Sequence, residues 1–153
     1  MAQIGNMEYE LEVKCSAQRF YQIFRSRAHL LPKLCPNVVK DIQVIKGGWD
    51  AIDSVKRWIF LSGNSSEVSI DTVEAVDEKN KSMIYKVIGG EVAKHYNSFK
   101  FGLEAKEKRD GGCLVKWIVQ YEKENENIPA PNEYKGLGTV MTMCIDAYLL
   151  NNA

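Results

Sequence analysis

Lys56, Asp71 and Tyr85 have side-chain types and spacing that suit acid–base chemistry. Strict alternation puts Lys56 on one face of a strand with Trp58 and Phe60, and Asp71 on one face of the next strand with Ser69 and Val73. A lysine and an aspartate on neighbouring strands can pair, which lowers the cost of holding either charge away from water. Tyr85 adds a phenol on the strand after that. Such a trio either orients a ligand oxygen or moves a proton. The plainer alternative is a partly buried ion pair with a tyrosine beside it. His29 is a fourth candidate, because an imidazole with a pKa of about 6.5 exchanges its proton near neutrality. At the start of a short helical segment it can equally be an exposed or capping residue. His95 falls in a polar link and is expected in solvent.

Other chemistries lack their motifs. There is no G-x-S-x-G nucleophile elbow, no HExxH, no GxGxxG and no phosphate loop ending in GKS or GKT. Cys15, Cys35, Cys113 and Cys144 are widely spaced, without a CxxC pair, so free thiols are expected rather than a metal site or structural disulfides. No metal and no cofactor is expected. Lysine plus arginine equals aspartate plus glutamate at 20 each, which disfavours a nucleic-acid partner. No apolar run approaches the roughly 20 residues needed to span a bilayer. The N-terminus lacks the pattern of a secretory signal, so a cytoplasmic location is the default. A length of 153 residues suits a single domain over residues 1–153 with a real core.

The elements that must position these side chains follow from hydrophobic periodicity. Met7, Tyr9, Leu11 and Val13 alternate with charged residues in a first strand. Ser16 can cap a short helix through about Phe24 that turns Phe20, Ile23 and Phe24 inward. A second helical segment, His29 to Leu34, is interrupted by Pro32 and closed by Pro36. Strands are predicted at about Val38–Ile45, Val55–Leu61, Glu67–Val76, Met83–Ile88, Ser98–Glu107 and Cys113–Glu122, the last after an Asp110-Gly111-Gly112 turn. Between two of them, Gly89 and Gly90 open a polar link. From Asn132 the spacing turns helical, with Tyr134, Leu137, Met141, Cys144 or Ile145, and Tyr148 on one face. Gly136 and Gly138 each cost that helix about 1 kcal/mol relative to alanine, which suggests that backbone or ligand approaches there. The class is α+β: a sheet with one apolar face needs the single long helix laid across its concave side.

The order of these elements resembles a known family, together with GGW at Gly47–Trp49, SVKRW at Ser54–Trp58, EAVDE at Glu74–Glu78, YKVIGGE at Tyr85–Glu91, YNSF at Tyr96–Phe99 and QYEK at Gln120–Lys123. The chain looks like the plant major latex proteins, a branch of the Bet v 1-like superfamily, from Met7 to Leu150. The resemblance implies a helix-grip fold, with a curved seven-stranded antiparallel sheet around a long C-terminal helix, two short helices and a large, mostly apolar cavity. It also implies a small hydrophobic ligand and turns the inward faces into expected ligand contacts. These are Tyr9, Ile23, Leu31, Trp58 and Phe60 at one side, Met83, Val87, Phe99, Phe101 and Leu103 in the middle strands, and Trp117, Leu137 and Met141 at the other. Lys56 and Asp71 match a lysine and an aspartate of the birch allergen that face its cavity, and His29 matches a polar position near the mouth.

Two departures stand out. Relatives carry a glycine-rich loop close to GDWGxxGS, whereas here Gly48-Trp49-Asp50-Ala51-Ile52-Asp53-Ser54 has aspartates at two of the glycine places. His95 stands where an acidic residue is usual. Resemblance to norcoclaurine synthase would make Lys116 catalytic, but alternation with Val115, Trp117 and Val119 sends Lys116 outward. Two functions follow from the resemblance. One is binding of an apolar plant metabolite or hormone; the other is a cofactor-free cyclase or isomerase that steers a reactive terpenoid (iridoid) or alkaloid intermediate. The oligomeric state is not legible.

Overall fold

The computed structural model describes residues 4–62 and 65–152. Its first strand, β1 (Ile4–Val13), alternates outward glutamates with inward Met7, Tyr9, Leu11 and Val13. Ser16 then accepts a hydrogen bond from Arg19 N at 3.3 Å and starts α1 (Ala17–Arg25), which buries Phe20, Tyr21, Ile23 and Phe24. A 3-10 turn (Ala28–Leu30) leads into α2 (Leu31–Leu34). Pro32 does not interrupt a helix here: it sits in the first turn of α2, where its missing N–H has no partner to lose.

The chain then makes β2 (Val39–Lys46), β3 (Val55–Ser62), β4 (Ser65–Asp77), β5 (Ser82–Gly90), β6 (Tyr96–Glu107) and β7 (Cys113–Lys123). The sheet order is β1-β7-β6-β5-β4-β3-β2, antiparallel throughout. Successive hairpins therefore build the sheet from β2 to β7, and β1 adds beside β7. The α1–α2 pair carries the chain from one sheet edge to the other. Register shifts in the β2–β3, β4–β5 and β6–β7 pairs bend the strands and help curve the sheet. Gly89 and Gly90 belong to β5 rather than to a link, paired with Ile70 and Ser69. The segment after them is not uniformly polar, because a 3-10 turn at Val92–Lys94 buries Val92.

The long helix α3 (Asn132–Asn151) lies over the concave face. The Trp117 indole of β7 donates to Thr142 Oγ1 at 2.9 Å, and the Asp146 carboxylate accepts from Lys14 N and, at 2.8 Å, from Cys15 N. These polar ties fix the rotation and the height of α3 over the sheet. The α+β helix-grip architecture is thus present. Among the described residues, no helix is long and apolar enough to cross a membrane.

Candidate functional site

Between α3 and the sheet the side chains form two packed groups. The larger one centres on α1, α2 and the adjoining half of the sheet, with Phe20, Ile23, Leu31, Leu103 and Ile145 fully buried. The smaller one gathers Val87, Val92, Phe99 and Val119. Phe101 packs against both, and a cavity lies where they meet. Its wall takes Tyr9 from β1, Phe60 and Ser69 from β3 and β4, Val87, Phe99 and Phe101 from β5 and β6, Trp117 and Val119 from β7, and Tyr134, Leu137, Gly138 and Met141 from α3. Val92 completes the wall.

The cavity encloses about 60 Å³, room for roughly four water molecules. It is narrow rather than large, because aromatic side chains fill the space under the helix. Tyr9 reaches across until its hydroxyl meets bare Gly138, and a β-carbon on that glycine would stand 2.2 Å from the oxygen. The approach expected at the helix glycines is therefore a phenol at Gly138. Gly136 has nothing within 4 Å of the same position. Tyr134 is half-buried, edge-on to Phe99 at 5.4 Å, and donates to Glu67 Oε2 at 3.1 Å, which ties the start of α3 to β4.

Of the expected contacts, Tyr9, Phe60, Val87, Phe99, Phe101, Trp117, Leu137 and Met141 are brought to the cavity wall. Ile23, Leu31, Trp58, Met83 and Leu103 are not; they pack in the larger core group. Ile23 and Leu31 are used up in seating α1 and α2, and Met83 pairs with Leu103 across β5 and β6. Trp58 is held by its indole N–H and stacks on Phe60 at 5.6 Å, so Phe60 takes the wall position. Ser69, Val92, Val119, Tyr134 and Gly138 line the cavity without having been singled out as contacts. Ser69 and Val119 share inward faces with residues that were, and that alternation was the available signal.

The polar trio sits beside the cavity: Asp71 and Tyr85 are one two-residue step along their strands from Ser69 and Val87, and Lys56 is two such steps from Phe60. Lys56 and Asp71 are opposite each other in the β3–β4 register, and both are buried. They do not form the expected ion pair. Lys56 Nζ donates to Ser54 Oγ at 2.8 Å, Asp71 Oδ1 accepts from Trp58 Nε1 at 3.1 Å, and Asp71 Oδ2 has no hydrogen-bond partner. Burial, the dominant cause, pushes Asp71 up to about 8 and pushes Lys56 down, each toward its neutral form. Tyr85 stacks on Phe101 at 4.8 Å and points its hydroxyl at Met83 Sδ at 3.7 Å; burial raises its pKa. None of Lys56, Asp71 and Tyr85 lines the cavity.

His29 is exposed and packs edge-on against Trp49 at 5.5 Å, away from the cavity wall. Lys116 points outward as alternation requires, with Nζ 3.7 Å from Glu8. The altered loop keeps a left-handed conformation at Gly47 and at Asp53, whose φ is 66°. Aspartate enters that region more readily than most residues. Arg25 Nη1 donates to the Asp50 carbonyl and Arg25 Nε meets Glu78 at 2.5 Å, so α1 holds this loop and the β4–β5 turn together. His95 is exposed.

A curved antiparallel sheet gripping one long helix over an apolar cavity defines a helix-grip, cavity-bearing protein. More particularly, the chain belongs to the pathogenesis-related protein Bet v 1 family, whose model matches residues 2–152. It is similar to MLP-like protein 423 of Arabidopsis thaliana, 37% identical over 147 residues that span 95% of this chain and 94% of that one. Its fold is similar to that of major latex-like protein 151 from Panax ginseng, with a TM-score of 0.92, 24% identity, and coverage of 97% of this chain and 99% of that one. It is also similar to norcoclaurine synthase from Thalictrum flavum in complex with dopamine and hydroxybenzaldehyde, with a TM-score of 0.82, 18% identity, and coverage of 99% and 90%. The resemblance to major latex proteins read from the sequence holds.

Proposed function

We propose that this protein is a single-domain cytoplasmic binder of a small apolar plant metabolite or hormone, held between α3 and the sheet. The observation that carries the reading is the cavity wall itself: Phe60, Phe99, Phe101, Trp117, Leu137 and Met141 converge on one space, while Lys56, Asp71 and Tyr85 are buried outside its lining and His29 is exposed. A wall of carbon with few polar groups recognises shape and apolar area. At about 60 Å³ the space accepts such a molecule only as side chains move, and Met141, unbranched and adaptable, is the natural one to give way. Compact ligands are therefore favoured over steroids. The test is titration of the protein with a stable bicyclic monoterpenoid and with a steroid, read through Trp117 fluorescence with Trp117→Phe as control. Saturation at micromolar monoterpenoid supports the reading, and no saturation by either molecule rejects it.

A second reading, a cofactor-free cyclase or isomerase, has one observation in its favour. Asp71 is a buried carboxyl with an unpartnered oxygen, one strand step from the wall. At neutral pH it would hold a proton, as a general acid must, with Tyr85 as a neighbouring phenol. A reactive iridoid or alkaloid intermediate enclosed beside it would be shielded from water and held in one conformer. Incubation with such intermediates and analysis of product stereochemistry decides. A product ratio shifted by the protein and returned to background by Asp71→Asn supports catalysis, whereas an unchanged ratio leaves binding alone.

A further inference from the structure

Cys35 and Cys144 are brought together from distant parts of the chain. The Cys35 thiol, buried just after α2, donates to the Met141 carbonyl on α3 at 3.7 Å. Met141 and Cys144 are three positions apart on one side of that helix, so the Cys35 sulfur seated on the Met141 carbonyl lies within about one helical turn of Cys144. Cys144 is half-buried while Cys35 is buried, so Cys144 is the more accessible of the two. We infer that Cys35 and Cys144 form a peroxide-responsive dithiol, which closes to an intramolecular disulfide that fastens the end of α2 to the middle of α3.

The chemistry runs in two steps. The Cys144 thiolate attacks one oxygen of a hydroperoxide and the O–O bond breaks, leaving a sulfenic acid and an oxide that takes up the thiol proton. The Cys35 sulfur then attacks the sulfenic sulfur. The S–O bond breaks, and the departing hydroxide takes the Cys35 proton and leaves as water. With hydrogen peroxide, two thiols are oxidised by two electrons and the peroxide becomes two waters. The order of attack follows from exposure: burial raises the Cys35 pKa and keeps it a thiol until a partner sulfur is activated beside it.

The other two cysteines supply an internal contrast. Cys15 and Cys113 are both buried, and burial pushes them up to about 12 and about 11. Neither offers solvent a sulfur, so they stay reduced. A cytosolic disulfide of this kind is transient and regulatory rather than structural. Its effect reaches the cavity wall directly, since the carbonyl held by Cys35 belongs to Met141. The thiol chemistry itself stands whatever molecule the cavity holds.

Treatment of the full chain with hydrogen peroxide, followed by intact-mass and peptide mapping, tests the inference. The expected product has lost the mass of two hydrogen atoms, carries a Cys35–Cys144 linked peptide, and melts roughly 10 °C higher until dithiothreitol reverses it. Cys144→Ser and Cys35→Ser each abolish the linkage, and wild-type mapping alone decides if either variant folds poorly. Oxygen added to Cys144 without a link, a bridge to Cys15 or Cys113, or a dimer joined through Cys144 would overturn it.

Discussion

The Tyr9 hydroxyl occupies the space in which a side chain on Gly138 would begin, 2.2 Å from the position of its β-carbon. This contact lets a β1 phenol slide under α3, and it is one reason the cavity is narrow. Gly138→Ala is expected to cost about 1–3 kcal/mol through overpacking. Gly136→Ala, which meets open space on an exposed part of the same helix, is expected to add up to about 1 kcal/mol. The Tyr9 Cζ would lie 3.4 Å from the same β-carbon, so the hydroxyl alone is the obstacle. Tyr9→Phe should therefore rescue Gly138→Ala, with a coupling energy of about 1 kcal/mol or more in urea unfolding. Strictly additive single effects would show that something else selects glycine at 138.

Asp146 is the principal polar anchor of α3 against the link between β1 and α1. Its carboxylate takes the Lys14 N–H and the Cys15 N–H, the latter at 2.8 Å, immediately before the capped start of α1. Charge-assisted bonds to buried backbone donors are stronger than ordinary ones, and truncation strands the donors. Asp146→Ala is expected to lose about 2–4 kcal/mol, and Asp146→Asn less, because the amide oxygen still accepts. Chemical denaturation of the three proteins side by side measures this; equal losses for Asn and Ala would mean that the negative charge, not the acceptor, matters.

Strand faces were legible because each strand has one wet side, and α3 was legible from its apolar spacing. Depth along the fold was not. Met83 and Phe99 carry the same alternating signature, yet one packs in the larger core group and the other lines the cavity. Alternation says which face a residue takes but not which end of the sheet it occupies. Thr142 and Asp146 were missed because periodicity counts apolar residues. Their partners, the Trp117 indole and the Lys14 and Cys15 amides, lie on other elements. Lys56 and Asp71 show a different failure. Their register was right, but Ser54, just before β3, and Trp58 within it offered partners to both charged ends.

The buried Asp71 makes the stability of this fold depend on pH in a definite direction. Its folded pKa is raised to about 8 from 3.8, with burial as the main cause. Below 3.8 both folded and unfolded chains hold the proton, and the full stability is present. As pH rises toward 8 the unfolded chain releases the proton while the folded one keeps it, so stability falls. Each pH unit in that window removes at most about 1.4 kcal/mol from this source. Asp71→Asn cannot titrate and still offers an oxygen to the Trp58 indole. The difference in unfolding free energy between variant and wild type should grow in the variant's favour from pH 5 to about pH 8 and then level off. A flat difference would place Asp71 in an ionised, compensated state instead.

Tyr134 and Glu67 connect the start of α3 to β4 at the solvent side of the cavity, with the phenol donating at 3.1 Å. The same ring forms part of the wall, so its movement would open the space that a ligand must enter. An exposed or half-exposed neutral-to-carboxylate hydrogen bond contributes about 1 kcal/mol, enough to bias an opening equilibrium without governing the fold. Tyr134→Phe keeps the ring and the Phe99 contact but removes this tie. Stopped-flow fluorescence with a bound monoterpenoid should then show association and dissociation both faster by about fivefold, with the dissociation constant nearly unchanged, as expected of a gate that weights both directions equally. If only dissociation accelerates, Tyr134 is holding the ligand itself, and entry must be sought elsewhere around the helix.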